Sequence, residues 1–263
     1  MSGRAQPGEP MRLLLINPNT SPEMTGLVAG VARACLPAGV ELVPVTGRFG
    51  ARYIAGRAAA AIAAHAALDA LAEHHGPCDG VLLACFGDPG LLALKEVSPV
   101  PVVGLAEASC LLACTLGRRF SIVTGGERWG PMLEEFVAGQ GFGSRLASVR
   151  ALAPTGADIA HDPEGALAVL AAACAACVRE DGAEAVILGG AGLAGLSARI
   201  QPAVPVPVLC SVEAGVRMLL AIVASGAAKA RSGSLAPPAP VETSGLSVSL
   251  AALIEAGPLG RRP

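Results

Sequence analysis

Short apolar blocks that stop abruptly at polar or glycine positions alternate along this chain with longer, alanine-rich stretches. Residues 12–16 form the first block, apolar from Leu13 to Ile16 and ended by Asn17, which reads as a strand buried in a parallel sheet. Thr20 or Ser21 can cap the next helix, with Pro22 at its first position, Glu23 near its positive end and a stop near Cys35. The same reasoning predicts a strand over 41–45, a helix over 53–75, a strand over 80–84, a helix over 89–96 and a strand over 100–104. A second series follows: strand 120–123, helix 131–139, strand 144–152, helix 163–180, strand 185–188, a short helix, strand 206–209 and a helix from Glu213 to about Ser225. Strands alternating with helices imply parallel sheets, with ligands bound beyond the carboxyl ends of the strands.

The two series are copies. Pro99-Val-Pro-Val-Val-Gly-Leu-Ala-Glu-Ala-Ser109 recurs about 106 residues later as Pro205-Val-Pro-Val-Leu-Cys-Ser-Val-Glu-Ala-Gly215. Residues 13–16 run into Asn17 as 121–123 run into Thr124, and the turn that opens with Cys85 in one copy carries Gly190 in the other. The expected molecule is therefore α/β, with two pseudo-symmetric lobes facing their strand-end turns across a shared cleft. One lobe comprises 11–105 with 211–228, the other 106–210. Residues 1–10 read as a disordered leader and 229–263 as a flexible Pro-, Ser- and Ala-rich tail with a weak amphipathic patch at 248–254.

Composition narrows the function. A net charge of −2 and 3% aromatic residues argue against nucleic acid as a partner. Mean hydropathy is high, but the longest apolar run, 166–178, is shorter than the roughly 18–20 residues a membrane span needs. No secretory signal is visible, so the eight cysteines read as reduced thiols of a cytoplasmic protein.

Cys85 follows a strand within Ala84-Cys-Phe-Gly-Asp-Pro-Gly90, and Asp88-Pro89 resembles the start of a helix. A thiol there is either activated by the helix dipole and nearby N–H groups or simply a small buried hydrophobe; position alone does not decide. Asn17 holds the strand-end position toward the cleft, where an amide can donate to an oxygen that gains charge. Thr124 with Gly125 and Gly126 can offer a hydroxyl and open amides from the other side. Asn19, Thr20 and Ser21 are explained by turn and cap chemistry. Gly190-Ala-Gly-Leu-Ala-Gly195 matches a dinucleotide-binding pattern, but the helix after it is cut short near Pro202. Cys174 and Cys177, like Cys110 and Cys114, lack a second pair at zinc-binding spacing, and the histidines show no ligand spacing, so no metal is expected. His74-His75 reads as a solvated helix end.

Residues 16–21 (Ile-Asn-Pro-Asn-Thr-Ser), 84–91, 101–108 and 188–195 together closely resemble the Asp/Glu/hydantoin racemase family, nearest its hydantoin and allantoin racemase branch. The resemblance covers 11 to about 225. It implies two flavodoxin-like lobes, no cofactor, a homo-oligomer, and a small-molecule substrate such as a hydantoin, ureide or amino-acid derivative. It also implies two cysteines flanking an acidic carbon beside a carbonyl. Cys85 matches the first; the second falls at Gly190. Asn17 and Thr124 match the family's oxygen-binding positions, Phe86, Gly87 and Ala191 would lie beside the substrate, and Cys210 stands where an aspartate is usual and is a candidate substitute thiol. Three readings remain: a racemase or epimerase, a one-thiol decarboxylase or isomerase, and a non-catalytic binder of small acids or ureides. The small residues Gly190, Ala191 and Gly192 favour a cyclic or bulky substrate.

Overall fold

The structure, a computed structural model, describes residues 10–74 and 76–255. Residues 1–9 of the expected leader, His75 and residues 256–263 lie outside the described residues. Chain order is β1 (Met11–Asn17), α1 (Pro22–Ala34), β2 (Val40–Thr46), α2 (Arg57–Glu73), β3 (Gly80–Leu83), α3 (Leu91–Val97), β4 (Val102–Gly104) and α4 (Leu105–Leu116). The second series is β5 (Phe120–Gly125), α5 (Trp129–Gly139), β6 (Leu146–Leu152), α6 (Gly156–His161), α7 (Pro163–Asp181), β7 (Ala185–Gly189), α8 (Ser197–Ile200), β8 (Val208–Cys210) and α9 (Ser211–Ser225), before a final α10 (Val248–Glu255).

Two parallel sheets result, with orders β2-β1-β3-β4 and β6-β5-β7-β8. These are the same winding twice, as the repeat predicted, and each follows the flavodoxin-like order through its first four strands. The central strands β1, β3, β5 and β7 are almost wholly buried, which is why their sequences read as unbroken apolar runs. In such a sheet ligands collect where the winding reverses, between the first and third strands. Here those points are the carboxyl ends of β1/β3 and of β5/β7. Helix α4 packs on α9 and β7, while α9 packs on β3, so the two helices cross between the lobes and one continuous core joins both sheets.

Local chemistry accounts for most element ends. Ser21 caps α1 by accepting from the Met24 N–H, with Pro22 in the first turn. Asp162 accepts from the Gly165 N–H at the start of α7, and Gly182 ends that helix in a left-handed conformation.

Three expectations are corrected. The helix predicted from residue 53 begins at Arg57, because residues 47–56 leave the first lobe to meet the second. The helix predicted from Pro89 begins at Leu91, after Gly90 turns with a φ of 82°. The segment expected to trail loosely is packed: Leu250 and Leu253 are buried against α2, and the Ser247 hydroxyl donates to Asp69 at 2.6 Å. Upstream, the Lys229 ammonium donates to the carbonyls of Lys95, Glu96 and Ser98, capping α3.

Candidate active site

A cavity with room for about 50 Å³ of solvent lies where the two winding-reversal points meet. The first lobe contributes Asn19 and Met24 after β1, Tyr53 and Ile54 from the crossing loop, and Ala84, Cys85 and Phe86 after β3. The second lobe contributes Thr124 and Gly125 after β5, then Trp129, Gly156 and the turn 190–193 after β7. Among the described residues, no lysine, arginine, histidine, aspartate or glutamate lines it.

Cys85 is 8% exposed, and its Sγ lies 3.9 Å from the Phe86 carbonyl oxygen. Of the two readings that position left open, activation by a helix end is not found. Helix α3 starts only at Leu91, and burial, then the Asp88 carboxylate, push the thiol up to about 12. Asp88 does not cap the helix it precedes. Its carboxylate accepts from the N–H groups of Ala106 and Glu107 at 2.9 and 2.8 Å, capping α4. Burial raises the Asp88 carboxyl to about 7 against the pull of those two donors. A Cβ on Gly104 would fall 2.2 Å from the Asp88 Oδ2, so glycine there leaves the carboxylate its room.

The amide positions differ from expectation. Asn17 is fully buried: its Nδ2 faces Asn19 Oδ1, the Ser21 carbonyl and Thr25 Oγ1 at 2.8, 3.2 and 2.9 Å, so both its hydrogens are spent within the loop. Asn19 reaches the cavity instead. Its Oδ1 accepts from Asn17 and from the Ser21 N–H, leaving Nδ2 without a partner among the described residues. Asn17 thus aims Asn19, a relay that a residue-by-residue reading of the turn missed.

Thr124 lines the cavity where expected, with its hydroxyl unpaired among the described residues. Phe86 lines it too, its ring reaching across to β7, where a Cβ on Gly189 would lie 2.4 Å from Cε1. Gly87 sits behind the wall, at φ 96°, with the Trp129 ring against its Cα. Gly125 and Ala191 belong to the lining, but the Gly126 N–H is taken by the carbonyls of Leu152 and Pro154. Gly190 lies opposite Cys85's lobe with a φ of 144°, and a Cβ there would sit 3.8 Å from Thr124 Oγ1. The glycines of 190–195 serve packing: a Cβ on Gly192 would overlap the Gly156 carbonyl oxygen at 1.8 Å, so that turn is closed to a pyrophosphate.

Cys210 does not reach the cavity. Its Sγ accepts from the Gly195 N–H at 3.5 Å, and burial pushes the thiol up. By strand register Cys210 is the twin of Gly104, and it stands at the start of α9 without capping it.

Tyr53, Ile54 and Trp129 went unnoticed in the sequence. The Tyr53 hydroxyl donates to the Gly125 carbonyl at 3.3 Å and accepts from the Gly156 N–H at 3.2 Å, while Trp129 Nε1 donates to the Ile54 carbonyl at 3.1 Å. The chain has one tyrosine and one tryptophan, and both meet at this cavity. That scarcity was the available signal.

Twin parallel sheets thus bring a thiol and an unpaired hydroxyl to one cavity between two lobes, the α/β architecture of the family whose model the chain matches. The chain belongs to the Asp/Glu/hydantoin racemase family, whose model matches residues 13–219, and is an isomerase of the racemase type. A hydantoin racemase of Paenarthrobacter aurescens is 36% identical, the match covering 87% of this chain and 98% of the relative. Among solved structures, allantoin racemase from Pseudomonas fluorescens superposes with a TM-score of 0.87 at 34% identity, covering 89% of this chain and 100% of that one. Allantoin racemase from Klebsiella pneumoniae gives 0.86 at 36% identity, covering 91% and 98%. Among the described residues no helix is long and apolar enough to cross a membrane.

Proposed function

We propose that the protein racemises uncharged, 5-substituted hydantoins, with Cys85 as the base that removes the proton from the ring carbon beside the carbonyl. The observation that carries this reading is the lining: a thiol, an asparagine Nδ2 and a threonine hydroxyl among Met24, Tyr53, Ile54, Phe86, Trp129 and Leu193, with no charged side chain among the described residues. A free amino acid would leave its ammonium and carboxylate unpaired in such a place, at a cost of several kcal/mol each. A neutral cyclic ureide can be held by Asn19 Nδ2 and the Thr124 hydroxyl through its carbonyl oxygens, which gain charge as the carbon loses its proton. The apolar lining favours an aliphatic or aromatic ring substituent over a polar ureido group. A relative named as a hydantoin racemase and neighbours named as allantoin racemases support the same reaction class.

A second reading, one-sided protonation as in a decarboxylase, draws on Gly190, which supplies no proton carrier at the place the resemblance gives to a second cysteine. Both readings are tested by racemisation and solvent-deuterium exchange of single-enantiomer 5-benzyl- and 5-isobutylhydantoin, with allantoin and free amino acids alongside. The expected result is exchange and racemisation of the apolar hydantoins, with Cys85→Ser lowering racemisation by about 10²–10⁴-fold. Absence of exchange from every hydantoin would refute the assignment.

A further inference from the structure

A reaction that inverts one carbon needs proton carriers on both of its faces, and the turn at Gly190 has no side chain to serve. Among the side chains that line the cavity, two carry a proton that can leave within the ordinary aqueous range: the Cys85 thiol and the Tyr53 phenol. The Thr124 hydroxyl and the Asn19 amide can donate hydrogen bonds but are far too weakly acidic to give up a proton. Cys85 belongs to the first lobe, at the end of β3. Tyr53 starts from the first lobe too, yet its hydroxyl is delivered to the second, between the Gly125 carbonyl and the Gly156 N–H.

That delivery is specific. Tyr53 lies in the loop that leaves β2, and Trp129 pins the loop through the Ile54 carbonyl. The glycines facing the ring keep the path open: a Cβ on Gly126 would lie 3.1 Å from the Tyr53 oxygen, and one on Gly156 3.6 Å from its ring. Gly156 is the residue against which the Gly192 turn packs, so the phenol stands beside the turn that begins at Gly190. The Gly156 N–H points at the phenol oxygen, where it would stabilise a phenolate.

We propose that Tyr53 is the second catalytic residue, the proton carrier of the lobe whose strand-end turn lacks a thiol. The inference rests on the assignment of Cys85 as the base of a hydantoin racemase. With one hand of the substrate, the Cys85 thiolate takes the ring proton, and the electron pair left behind spreads into the carbonyl. The Tyr53 O–H then gives its proton to the opposite face, leaving a phenolate held by Gly156. With the other hand the roles reverse: phenolate takes the proton and the Cys85 thiol returns one. Between turnovers the spent carriers regain their states by proton exchange with solvent.

The two carriers predict opposite handedness. Each enantiomer of 5-benzylhydantoin, incubated in D₂O with the Tyr53→Phe protein, is followed for deuterium uptake and for inversion. The expected result is a loss of racemisation of at least about 100-fold, with uptake surviving for one enantiomer and falling at least about 100-fold for the other. Cys85→Ser is expected to show the reverse preference. Tyr53→Phe that racemises at the parent rate overturns the proposal. So does an equal fall in uptake for both enantiomers, which marks the phenol as a latch for the loop alone. If the parent protein exchanges neither enantiomer, the failure lies with the Cys85 assignment itself.

Discussion

At Cys85 burial and function pull in opposite directions. The neutral thiol is favoured by its apolar surroundings and by the nearby carboxylate of Asp88, so most molecules at neutral pH hold a thiol where a thiolate is needed. Tyr53 is raised in the same sense, mainly by burial. The pH dependence follows with a definite sign. Raising the pH increases the thiolate fraction about tenfold per unit for as long as the pH stays below the thiol's own pKa. An unperturbed cysteine would level off near 8.5, whereas Cys85 keeps gaining well past that value. kcat/KM for 5-benzylhydantoin is expected to climb with a slope near one from pH 6.5 to at least about 8.5, beyond which the stability of the fold sets the limit. A plateau at or below pH 8 would show a thiol activated in the free protein, and this account of Cys85 would be wrong.

The elements around that thiol are held by the starts of two crossing helices, and the two lobes solve one problem differently. Helix α4 has its first N–H groups capped by the Asp88 carboxylate, which needs Gly104 to clear the space; α9 starts just after Cys210, the twin of Gly104, with no side-chain cap, and the Cys210 sulfur is tied to the Gly195 N–H instead. Because the Asp88 N–H also donates to the Cys85 carbonyl at 3.0 Å, the same residue ties the thiol's turn to α4. Asp88→Ala is expected to cost about 1–2 kcal/mol of stability, as lost caps do, and to lower racemisation as well, with Asp88→Asn retaining part of both. Urea midpoints and initial rates of the two variants check this; an alanine variant with the parent's midpoint would remove Asp88 from the frame. The strands and long helices were legible in the sequence because a doubly covered parallel sheet writes itself as apolar blocks, and the Cys85/Gly190 contrast followed from the repeat. The loop carrying Tyr53 was not legible, since its residues run without a break into the alanine-rich α2 and its bonding partners lie over 70 residues away. Asn17 was misjudged for a similar reason: a strand-end position says where the backbone points but not which of two neighbouring amides the loop has already used.

Across the whole molecule the thiols act together. Cys85, Cys110 and Cys174 are all buried and all pushed strongly upward, chiefly by desolvation. A thiol whose pKa is higher in the folded than in the unfolded chain stabilises the fold below the unfolded value, and that stability is lost as pH rises toward the folded one. The window therefore opens near 8.5, where an exposed cysteine begins to ionise, and each fully protected thiol forfeits about 1.4 kcal/mol per pH unit above it. By pH 10 three such groups amount to roughly 6 kcal/mol, a large share of the 5–15 kcal/mol that holds an ordinary domain together. Urea unfolding at pH 7.5, 8.5, 9.25 and 10 is expected to show a midpoint that holds to about 8.5 and then drops steeply. Replacing Cys174 by valine, remote from the cavity in the outer core of the second lobe, should make the drop shallower. A flat midpoint to pH 10 would mean that these thiols ionise without penalty, and the burial argument for Cys85 would fall with it. Rate and stability thus run against each other on the alkaline side: the thiolate that drives turnover becomes abundant in the range where the other buried thiols begin to loosen the core. Activity in steady assay should pass through a maximum between about pH 8.5 and 10, its falling limb following the unfolding midpoint rather than the titration of Cys85.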